Sequence, residues 1–533
     1  MQFGKAGLQD EITNNKNNEE KVFLSVAMMT TTLAMTMVSC SKDNDVNNGD
    51  EKQTAYLWGT DGSIKTCDHL TFSADGKDDA NGNVIGNGDK EFVFTGKQTL
   101  KKGVYLMKGW VYVADGAELT IEPGTVIKGE KASAASLIVE PGGKLYAKGT
   151  ESAPIVFTSA EAKGNRKPGD WGGLIICGRG TNNKGVLGQQ IEGGPRTKHG
   201  GNDANDNSGI LSYVRVEFAG YPFQKDKEIN ALTLGSVGAG TQIDHVQVSY
   251  TNDDSFEWFG GNVNCRYLVA YNGWDDEFDT DNGYNGKVQY ALSIRNPRIA
   301  DTSQSNGFES DNDADGSLTE PFTSAVFSNV TFIGPMGRDG FENTPDYING
   351  GNVFPQNGSA LGKFQSAMQI RRSSRLACFN SVAVGYPVGL IVDAEKGNTQ
   401  DVAKAGNLKL QNIFFAGMGV TGSDANKRYE DNLYDAVQKS VIDANQESYS
   451  STFFKSQTGN KVFQSISDLM LTSGIYSGVQ YLPQSGSPLL GAASFTDVLL
   501  SSWFEKVSYI GAFGNNDNWL RGWTEFDPQN AEY

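Results

Sequence analysis

Short apolar runs recur along the middle of the chain, and each is closed by a turn residue. GWVYVADGAELTIEPGTVIKG (109–129) and ASLIVEPGGKLYAKGTESAPIVFTSA (135–160) alternate apolar and polar residues between Pro and Gly turns. That alternation predicts strand, turn, strand, turn, strand in each segment. The series continues through GDWGGLIICGRG, LSYVRVEFAG, IDHVQVSYTN, CRYLVAYNG, VQYALSIRN, FSNVTFIG, CFNSVAVGY and LKLQNIFFAG.

The spacing of these runs indicates a solenoid. The closest of them end 21 to 23 residues apart, at Asn252, Gly273 and Asn296, and the longer gaps add loop-sized insertions. Three short strands in about 22 residues make one coil of a parallel β-helix, whose coils stack about 4.8 Å apart. We therefore predict an all-β fold with a parallel β-helix over residues 96–420.

The regions that flank the repeats have a different character. Residues 55–95 contain DGKDDANGN and predict an N-terminal cap that shields the first coil from edge pairing. Residues 421–533 predict a partly helical insertion followed by a closing segment. The helical part rests on the three- and four-residue recurrence of apolar residues in NKRYEDNLYDAVQKSVIDAN and VFQSISDLML.

The N-terminal segment is typical of an export signal. Residues 22–38, VFLSVAMMTTTLAMTMV, form an uncharged apolar run that is short for a spanning helix. Val38-Ser39-Cys40 follows and resembles a bacterial lipobox, which implies lipidation at Cys40 and a signal peptide over residues 1–39. Residues 1–20 are polar, so we expect the true start codon further along the chain. A single-pass anchor is the alternative.

The residues after the lipobox predict a surface location. SKDND resembles the Lys-plus-acidic tag of surface lipoproteins of the Bacteroidota, and residues 40–54 predict a lipidated flexible tether. The expected location is the outer membrane, held through the lipid anchor only and facing the cell exterior.

Composition narrows the class of partner and of chemistry. The formal net charge of −18 over 533 residues disfavours nucleic acid and anionic membrane surfaces as partners. The three histidines are scattered, which disfavours a His-based zinc site or a His-driven nucleophile. The four cysteines besides Cys40 lack CxxC spacing, and Cys265 and Cys378 lie in apolar runs where we expect buried free thiols.

Several of these stretches resemble a known family. LTIEPGTVIKG, APIVFTS and DWGGLII are similar to the opening coils of right-handed parallel β-helix proteins of the pectate-lyase-like superfamily, including large lipoproteins of the Bacteroidota. The ending GSPLLGAASFTD…FEKVSYIGAFGNNDNWLRGWTEFDPQN is similar to their C-terminal segment, so the resemblance covers residues 95–533. It implies the fold and not the activity, because the superfamily includes lyases, hydrolases, adhesins and structural proteins.

The acidic residues follow the coils. DDSFEWF (253–259), DDEFDTD (275–281), SNGFESD (305–311) and RDGFENT (338–344) align on a phenylalanine that we expect to point inward. The residues after it should then form one outward column, and a second column should stand at the turn that enters each strand. The outward column comprises Glu257, Asp279, Glu309 and Glu342, with Asp281 and Asp311 two residues on; the turn-entry column comprises Asp254, Asp276, Asn306 and Asp339.

Carboxylates one coil apart need compensation. At about 4.8 Å two of them repel by roughly 3 kcal/mol at an effective dielectric constant near 20, less when exposed. Hydrogen-bonded turn ladders, a bound cation or a ligand-binding face all remain open as explanations.

A second acidic motif predicts a calcium loop. DNDADG places Asp311, Asp313 and Asp315 at alternate positions before Gly316, which is the first half of a Ca²⁺-binding loop. The glutamate of a full EF-hand is absent, because Phe322 occupies its position. A structural Ca²⁺ at these three aspartates is the cofactor expectation, and a solvated loop is the alternative.

Aromatic and basic residues near the ladder suggest ligand contacts. Trp258 and Trp274 are candidates for stacking on sugar faces, with core packing as the alternative. Arg371 and Arg372 are candidates for binding an acidic sugar or for neutralising nearby acids.

Three functions stay open. The first is a surface lipoprotein that captures an extracellular ligand, expected to be a glycan, beside a TonB-dependent outer-membrane receptor. The second is an enzyme, described in the next paragraph, and the third is a structural or adhesin protein.

The second is a polysaccharide lyase or glycoside hydrolase, with Asp254, Asp276 and Asp279 as catalytic candidates. The Asp-Asp pairs resemble the motif of family hydrolases. However, their following His-Gly has no counterpart, since His199-Gly200 precedes the acidic coils. A lyase would need Ca²⁺ and a base, for which Arg371 and Arg372 are candidates.

Overall fold

The structure is a computed structural model. It describes residues 55–58, 64–67, 84–86, 88, 91–185, 189–222, 229–301, 303–338, 341, 364–472 and 481–533.

The described residues form 32 strands, numbered in chain order. The first fifteen are β1 Ala55–Trp58, β2 Ile64–Cys67, β3 Val84–Gly86, β4 Phe92–Phe94, β5 Lys97–Leu100, β6 Val104–Lys108, β7 Trp110–Val113, β8 Glu118–Ile121, β9 Val126–Gly129, β10 Ser136–Val139, β11 Lys144–Lys148, β12 Ile155–Ser159, β13 Gly173–Cys177, β14 Gln189–Gln190 and β15 Lys198–His199. The next nine are β16 Gly209–Glu217, β17 Leu232–Val237, β18 Gln242–Ser249, β19 Phe256–Gly261, β20 Asn264–Tyr271, β21 Phe278–Asp281, β22 Lys287–Ile294, β23 Phe308–Ser310 and β24 Val326–Ile333. The last eight are β25 Ser366–Ile370, β26 Ala377–Val384, β27 Val388–Val392, β28 Lys409–Ala416, β29 Val420–Ser423, β30 Leu433–Asp435, β31 Ser440–Asp443 and β32 Lys461–Phe463.

Helices are few and short. The α-helices are α1 Thr399–Lys404 and α2 Tyr449–Ser456, and the 3-10 turns are Pro335–Gly337 and Ile466–Leu469. Among the described residues no helix has the length and apolarity to cross a membrane.

Two long sheets run along the solenoid. Sheet A has the order β2-β1-β4-β7-β10-β13-β17-β19-β21-β23-β25-β27-β29. Sheet B has the order β3-β6-β9-β12-β16-β18-β20-β22-β24-β26-β28-β32, and β5, β8 and β11 join it at β16. Pairing between coils is parallel; β1 is antiparallel to β4 and to β2, beyond the first coil. This architecture confirms the predicted all-β parallel β-helix.

The core is a column of stacked side chains inside the coils. Phe256 pairs in register with Phe278, which pairs with Phe308 on the next coil. Their ring centroids are 5.6 and 6.0 Å apart, and all three rings are fully buried. The inward phenylalanine column predicted from the sequence is therefore confirmed over these three coils, and it fixes the register of everything beside it.

The long strands of sheet B bend around a corner at one stacked position. The residues there have positive φ, between 48° and 62°, and they are Tyr213, His245, Tyr267, Tyr290, Asn329, Asn380 and Asn412. Successive rings of the first four lie 4.2, 4.4 and 5.0 Å apart, so stacking offsets the strain of the left-handed conformation. The asparagines adopt that conformation at little cost.

Residues 481–533, here called the strap, lie along this corner. Trp519 packs on Tyr267 and Trp523 on His245. Coil side chains also bind strap backbone in both directions: Gln289 Nε2 donates to the Glu505 carbonyl, and the Glu505 amide donates to Gln289 Oε1, both at 2.8 Å. The closing segment thus covers the outer face of sheet B.

One local prediction is wrong. The stretch expected to be helical before residue 446 forms the antiparallel hairpin of β30 and β31. Asp435 starts a turn there, because its Oδ1 accepts the Val437 and Gln438 amides at 3.0 and 2.8 Å. The apolar residues Val437, Val441 and Ile442 recur at helical spacing but are exposed.

Candidate functional site

The turn-entry acids form a structural ladder. Asp254 Oδ1 accepts the Asp276 amide at 2.8 Å, and Asp276 Oδ1 accepts the Asn306 amide at 2.5 Å. Asn306 Oδ1 in turn accepts the Ser366 amide at 3.1 Å. Each side chain therefore satisfies the backbone of the next coil, which is the turn-ladder interpretation of this column. Asp254 and Asp276 hold the coils together through one carboxylate oxygen each.

The other acids of GWDDEFDTDNG have different partners. Glu277 forms a fully buried ion pair with Arg295, with Oε1 3.0 Å from Nη1, and accepts the Ser255 hydroxyl at 2.9 Å. Asp275 accepts the Ser303 hydroxyl at 2.7 Å. Asp281 accepts the Asn282 amide at 2.5 Å.

The outward column is in register over three coils. Glu257 pairs with Asp279, and Asp279 with Glu309. The next coil supplies Gln369, not the predicted Glu342. Since β25 follows β23, Phe341 lies outside the stack, 5.8 Å from the Phe364 ring. Glu342 and Asp339 lie outside the described residues.

One end of this column is neutralised. Arg371 contacts Glu309 through Nη2 and Asp311 through Nε, the latter at 2.8 Å, and Arg372 contacts Asp311 at 2.6 Å. The two arginines therefore balance acids on their own face. This matches the neutralising alternative for the cluster and engages the atoms that an acidic sugar would need.

The other end of the column is not balanced in this way. Ligand oxygens of Asp254, Glu257 and Asp279, here called the acid triad, lie within 4.8 Å of one another. Glu257 accepts the Asn230 amide, whereas Asp279 Oδ1 is buried and lacks a hydrogen-bond partner among the described residues. Burial and the neighbouring carboxylates raise the pKa of all three well above the usual range.

A cleft of about 460 Å³ opens on the same face of sheet A. Its walls come from β19, the end of β21, the loop that carries β14 and β15, and the segment between β23 and β24. The lining residues are Lys184, Gln189, Gln190, Ile191, Glu192, Gly193, Gly194, His199, Phe259, Asp281, Asn282 and Ala314. Phe259 and Asp281 are paired in register and lie two residues beyond Glu257 and Asp279. Burial raises the pKa of Asp281 to about 6. The cleft and the acid triad thus share one face.

Sequence reasoning missed His199, which lines this cleft although it precedes the acidic coils by more than fifty residues. It packs on β17, where a Cβ at Gly235 would lie 2.7 Å from its ring. A glycine inside the buried strand LTLGSV was the available signal of such a close approach.

Other predicted contacts do not form. Trp258 and Trp274 are 0% and 1% exposed, so they belong to the core and cannot stack on a sugar. Tyr284 packs 5.3 Å from the Trp258 ring, inside the coils. The prediction that these tryptophans bind ligand is wrong, because both rings are buried.

The predicted calcium loop is not a ligand cluster either. Asp311 is held by the two arginines, Asp315 is exposed, and Asp313 accepts the Asp315 and Ser317 amides at 2.9 and 3.0 Å. Within the described ranges, the groups of acids close enough to share a cation are the acid triad and Asp253 with Asp254 and Asp275. The alternating aspartates close a turn and do not converge on one point.

The remaining predictions concern cysteines. Cys177, Cys265 and Cys378 are buried free thiols, as expected for the last two. Cys40, the predicted lipidation site, lies outside the described residues.

Comparison with known proteins bears on the fold. Residues 93–462 match the model of the pectate-lyase like beta helix domain. Among solved structures, the chain is similar to the crystal structure of the Dettilon tailspike protein, at 12% sequence identity and a TM-score of 0.24. That similarity covers 62% of this chain and 61% of the tailspike chain. Among curated proteins none matches.

Proposed function

The chain belongs to the family of pectate-lyase-like β-helix domains, and from that premise we propose that it is a glycan-binding protein whose site is the cleft on sheet A. The observation that carries the proposal is a cleft of about 460 Å³ on the face of sheet A that also carries the acid triad. Pockets of some 300 to 1,000 Å³ with a few convergent polar groups are typical of small-ligand sites.

The lining suits a sugar. Phe259 supplies an aromatic surface for the apolar face of a pyranose ring. Gln189, Gln190 and Asn282 supply amide donors and acceptors, and Asp281 supplies a carboxylate, all of which bind hydroxyl groups. Mixed polar and aromatic walls of this kind favour a carbohydrate over an apolar ligand.

The acid triad fits a divalent cation better than the predicted loop does. Its three carboxylates provide hard oxygen ligands. Asp279 Oδ1 has no hydrogen-bond partner within the described part of the chain, and a cation is a natural partner for such an oxygen. Bound Ca²⁺ would supply the positive charge that balances these acids beside the cleft. Asp254, Glu257 and Asp279 are the residues that would hold it.

Catalysis is the second candidate function. A carboxyl group whose pKa is raised well above its usual range, as at Glu257 and Asp279, keeps its proton to a higher pH than a free carboxyl group does, which suits the acid of a glycoside hydrolase. Arg371 and Arg372 are poor candidates for the base of a lyase, because both form ion pairs with acids of the column. A structural or adhesin role remains the third candidate and predicts no ligand in the cleft.

Titration calorimetry of the purified protein with soluble oligosaccharides tests the proposal. The panel comprises mannan-, galactan-, polygalacturonate- and chitosan-derived oligomers. We expect at least one to bind and Asp281→Asn to weaken it about tenfold, or about 1.4 kcal/mol. The control Asp401→Asn, at an exposed carboxylate on α1, should bind like the wild type. Absence of binding across the panel, or equal binding by both variants, would overturn the proposal.

The proposed setting is the cell surface. Lipidation at Cys40 would anchor the protein in the outer membrane, where it would pass glycan to a TonB-dependent receptor. Cells fed labelled palmitate should label the wild type and not Cys40→Ser; equal labelling of both would remove this part of the proposal.

A further inference from the structure

A chain of hydrogen bonds leads from a backbone amide to the cleft. The Lys184 amide donates to Asn182 Oδ1 at 2.8 Å, and Asn182 Nδ2 lies 2.9 Å from Ser236 Oγ. Ser236 Oγ lies 2.9 Å from His199 Nδ1. We call these three side chains, with the Lys184 amide, the relay. Asn182, Ser236 and His199 are all buried.

The geometry of the relay determines which atom donates and which accepts in each of its hydrogen bonds. Because the Lys184 amide can only donate, Asn182 Oδ1 is the acceptor and Nδ2 must donate to Ser236. The Ser236 hydroxyl then has its own hydrogen left, and His199 Nδ1 is the acceptor within reach. The opposite tautomer would bury that hydroxyl hydrogen without a partner, which is costly. His199 therefore carries its proton on Nε2.

His199 Nε2 is the ring nitrogen left to serve the cleft. Ser236 occupies Nδ1, Gly235 lies against the ring, and the Phe259 ring centroid is 6.4 Å away. Burial lowers the pKa of His199 to about 4. The group that lines the cleft is thus a neutral N–H donor at physiological pH.

Asn282 lines the same cleft. Asn282 Nδ2 donates to Asp281 Oδ2 at 3.1 Å, so the amide orientation is fixed with Oδ1 as the remaining atom. Asn282 is 6% exposed, and its Oδ1 is buried without a hydrogen-bond partner among the described residues. A buried acceptor of this kind needs a hydrogen-bond donor, and a ligand in the cleft can supply one.

We propose that His199 Nε2–H and Asn282 Oδ1 are the donor and acceptor of a subsite that recognises the hydroxyl groups of a neutral sugar. A hydroxyl group both accepts and donates, so it satisfies the two atoms together or as a vicinal pair. A uronate is disfavoured, since His199 brings no positive charge and the lining has two carboxylates, Glu192 and Asp281, against one cation, Lys184. This inference rests on the proposed function, because it names the sugar class that the cleft takes.

Nitrogen-15 NMR of histidine-labelled protein tests the relay without a ligand. With three histidines in the chain, single substitutions assign each signal. His199 should show the neutral Nε2–H tautomer from pH 5 to 8. The Nδ1–H tautomer, or protonation in that range, would overturn the inference whatever the protein binds.

Binding by matched variants tests recognition. In His199→Asn the side chain can still accept from Ser236 but no longer reaches the position of Nε2, whereas in His199→Gln it can place an amide donor there. We expect His199→Asn to bind mannan- or galactan-derived oligomers three- to tenfold more weakly and His199→Gln to recover most of the affinity. Asn282→Gly, allowed by a φ of 53° at that residue, should weaken binding similarly.

The control and the outcomes separate the two proposals. His245→Asn, in the ring stack at the sheet B corner, should bind like the wild type. Wild-type binding that all His199 and Asn282 variants retain would overturn the subsite and leave the cleft as a glycan site. Preference for polygalacturonate over the neutral oligomers would overturn the sugar class. No binding by the wild type would overturn the proposed function, while the NMR result still decides the relay.

Discussion

At the scale of single residues, position in the coil decides what a carboxylate does. Asp276 at the strand entry accepts an amide of the next coil, and Glu277 is buried against Arg295. Asp279 faces outward, and its Oδ1 finds no partner among the residues that the structure describes. Neighbours in sequence thus differ in environment because Asp276 and Glu277 lie in the turn before β21, whereas Asp279 lies on the strand, next to the inward Phe278. The sequence pattern identified the outward column, but it could not tell which of its members the arginines would neutralise.

Asp279 should make stability depend on pH. A carboxyl group whose folded-state pKa lies above its unfolded value near 4 binds more protons when folded, so its contribution is lost as pH rises above about 4. Asp279→Asn removes this loss. The free energy of unfolding of the variant, minus that of the wild type, should therefore rise by up to about 1.4 kcal/mol per pH unit above pH 4 in chelator. Urea unfolding at pH 4 to 7 measures it.

Asp313→Asn is the matched control. Burial acts to raise the pKa of Asp313, but hydrogen bonds from Ser317 and the Asp315 amide outweigh it and hold the pKa below its usual range. The difference in free energy of unfolding between Asp313→Asn and the wild type should be constant above pH 4.

Excess Ca²⁺ should stabilise the wild type by about 2.7 kcal/mol at a hundred times its Kd and leave Asp279→Asn unchanged. If the difference in free energy of unfolding between Asp279→Asn and the wild type does not change with pH, the charges of the acid triad are balanced.

At the scale of elements, side-chain hydrogen bonds to backbone support the coils in two places: the turn-entry ladder on sheet A and the strap on sheet B. Backbone groups of the strap pair with side-chain amides of sheet B in both directions, as the backbones of paired strands do. Gln247 repeats the two-way pairing of Gln289, because it donates to the Glu525 carbonyl at 2.6 Å and accepts the Glu525 amide at 2.9 Å. Such pairs fix the strap without any strand.

Gln289→Glu should loosen the strap locally. The nearly isosteric change replaces an amide donor with a carboxylate oxygen facing the Glu505 carbonyl, which should cost about 1 to 3 kcal/mol. Amide hydrogen exchange around Glu505 should accelerate, while exchange in the inner strands stays slow. Gln446→Glu, on the exposed hairpin, is the control and should change neither quantity. An unchanged exchange rate at Glu505 would contradict the role of this pair.

Regular elements were predictable from the sequence and irregular ones were not. The phenylalanine alignment gave the register of β19, β21 and β23, because uninterrupted coils keep a constant spacing. It failed at Phe341, because periodicity does not say which strand follows a long insertion, and β25 begins only at residue 366. The helical period before residue 446 was likewise overridden by turn chemistry at Asp435.

At the scale of the whole molecule, the solenoid places distant residues on one face. His199 and Asp281 are more than eighty residues apart in sequence and line the same cleft. Fold class and the acidic surface could be predicted, since both repeat with the coils. The cleft could not, because the loop that carries β14 and β15 supplies most of its lining, and that loop has no repeat and therefore no periodic signal.

Hydrogen exchange mapping with and without the oligosaccharide that binds best tests the central claim most directly. If the cleft is the glycan site, peptides covering 189–199 and 278–285 should gain protection in the complex, and those of the sheet B corner should not. Protection confined to other surfaces, or no protected peptide with any member of the panel, would contradict the assignment of function to this face.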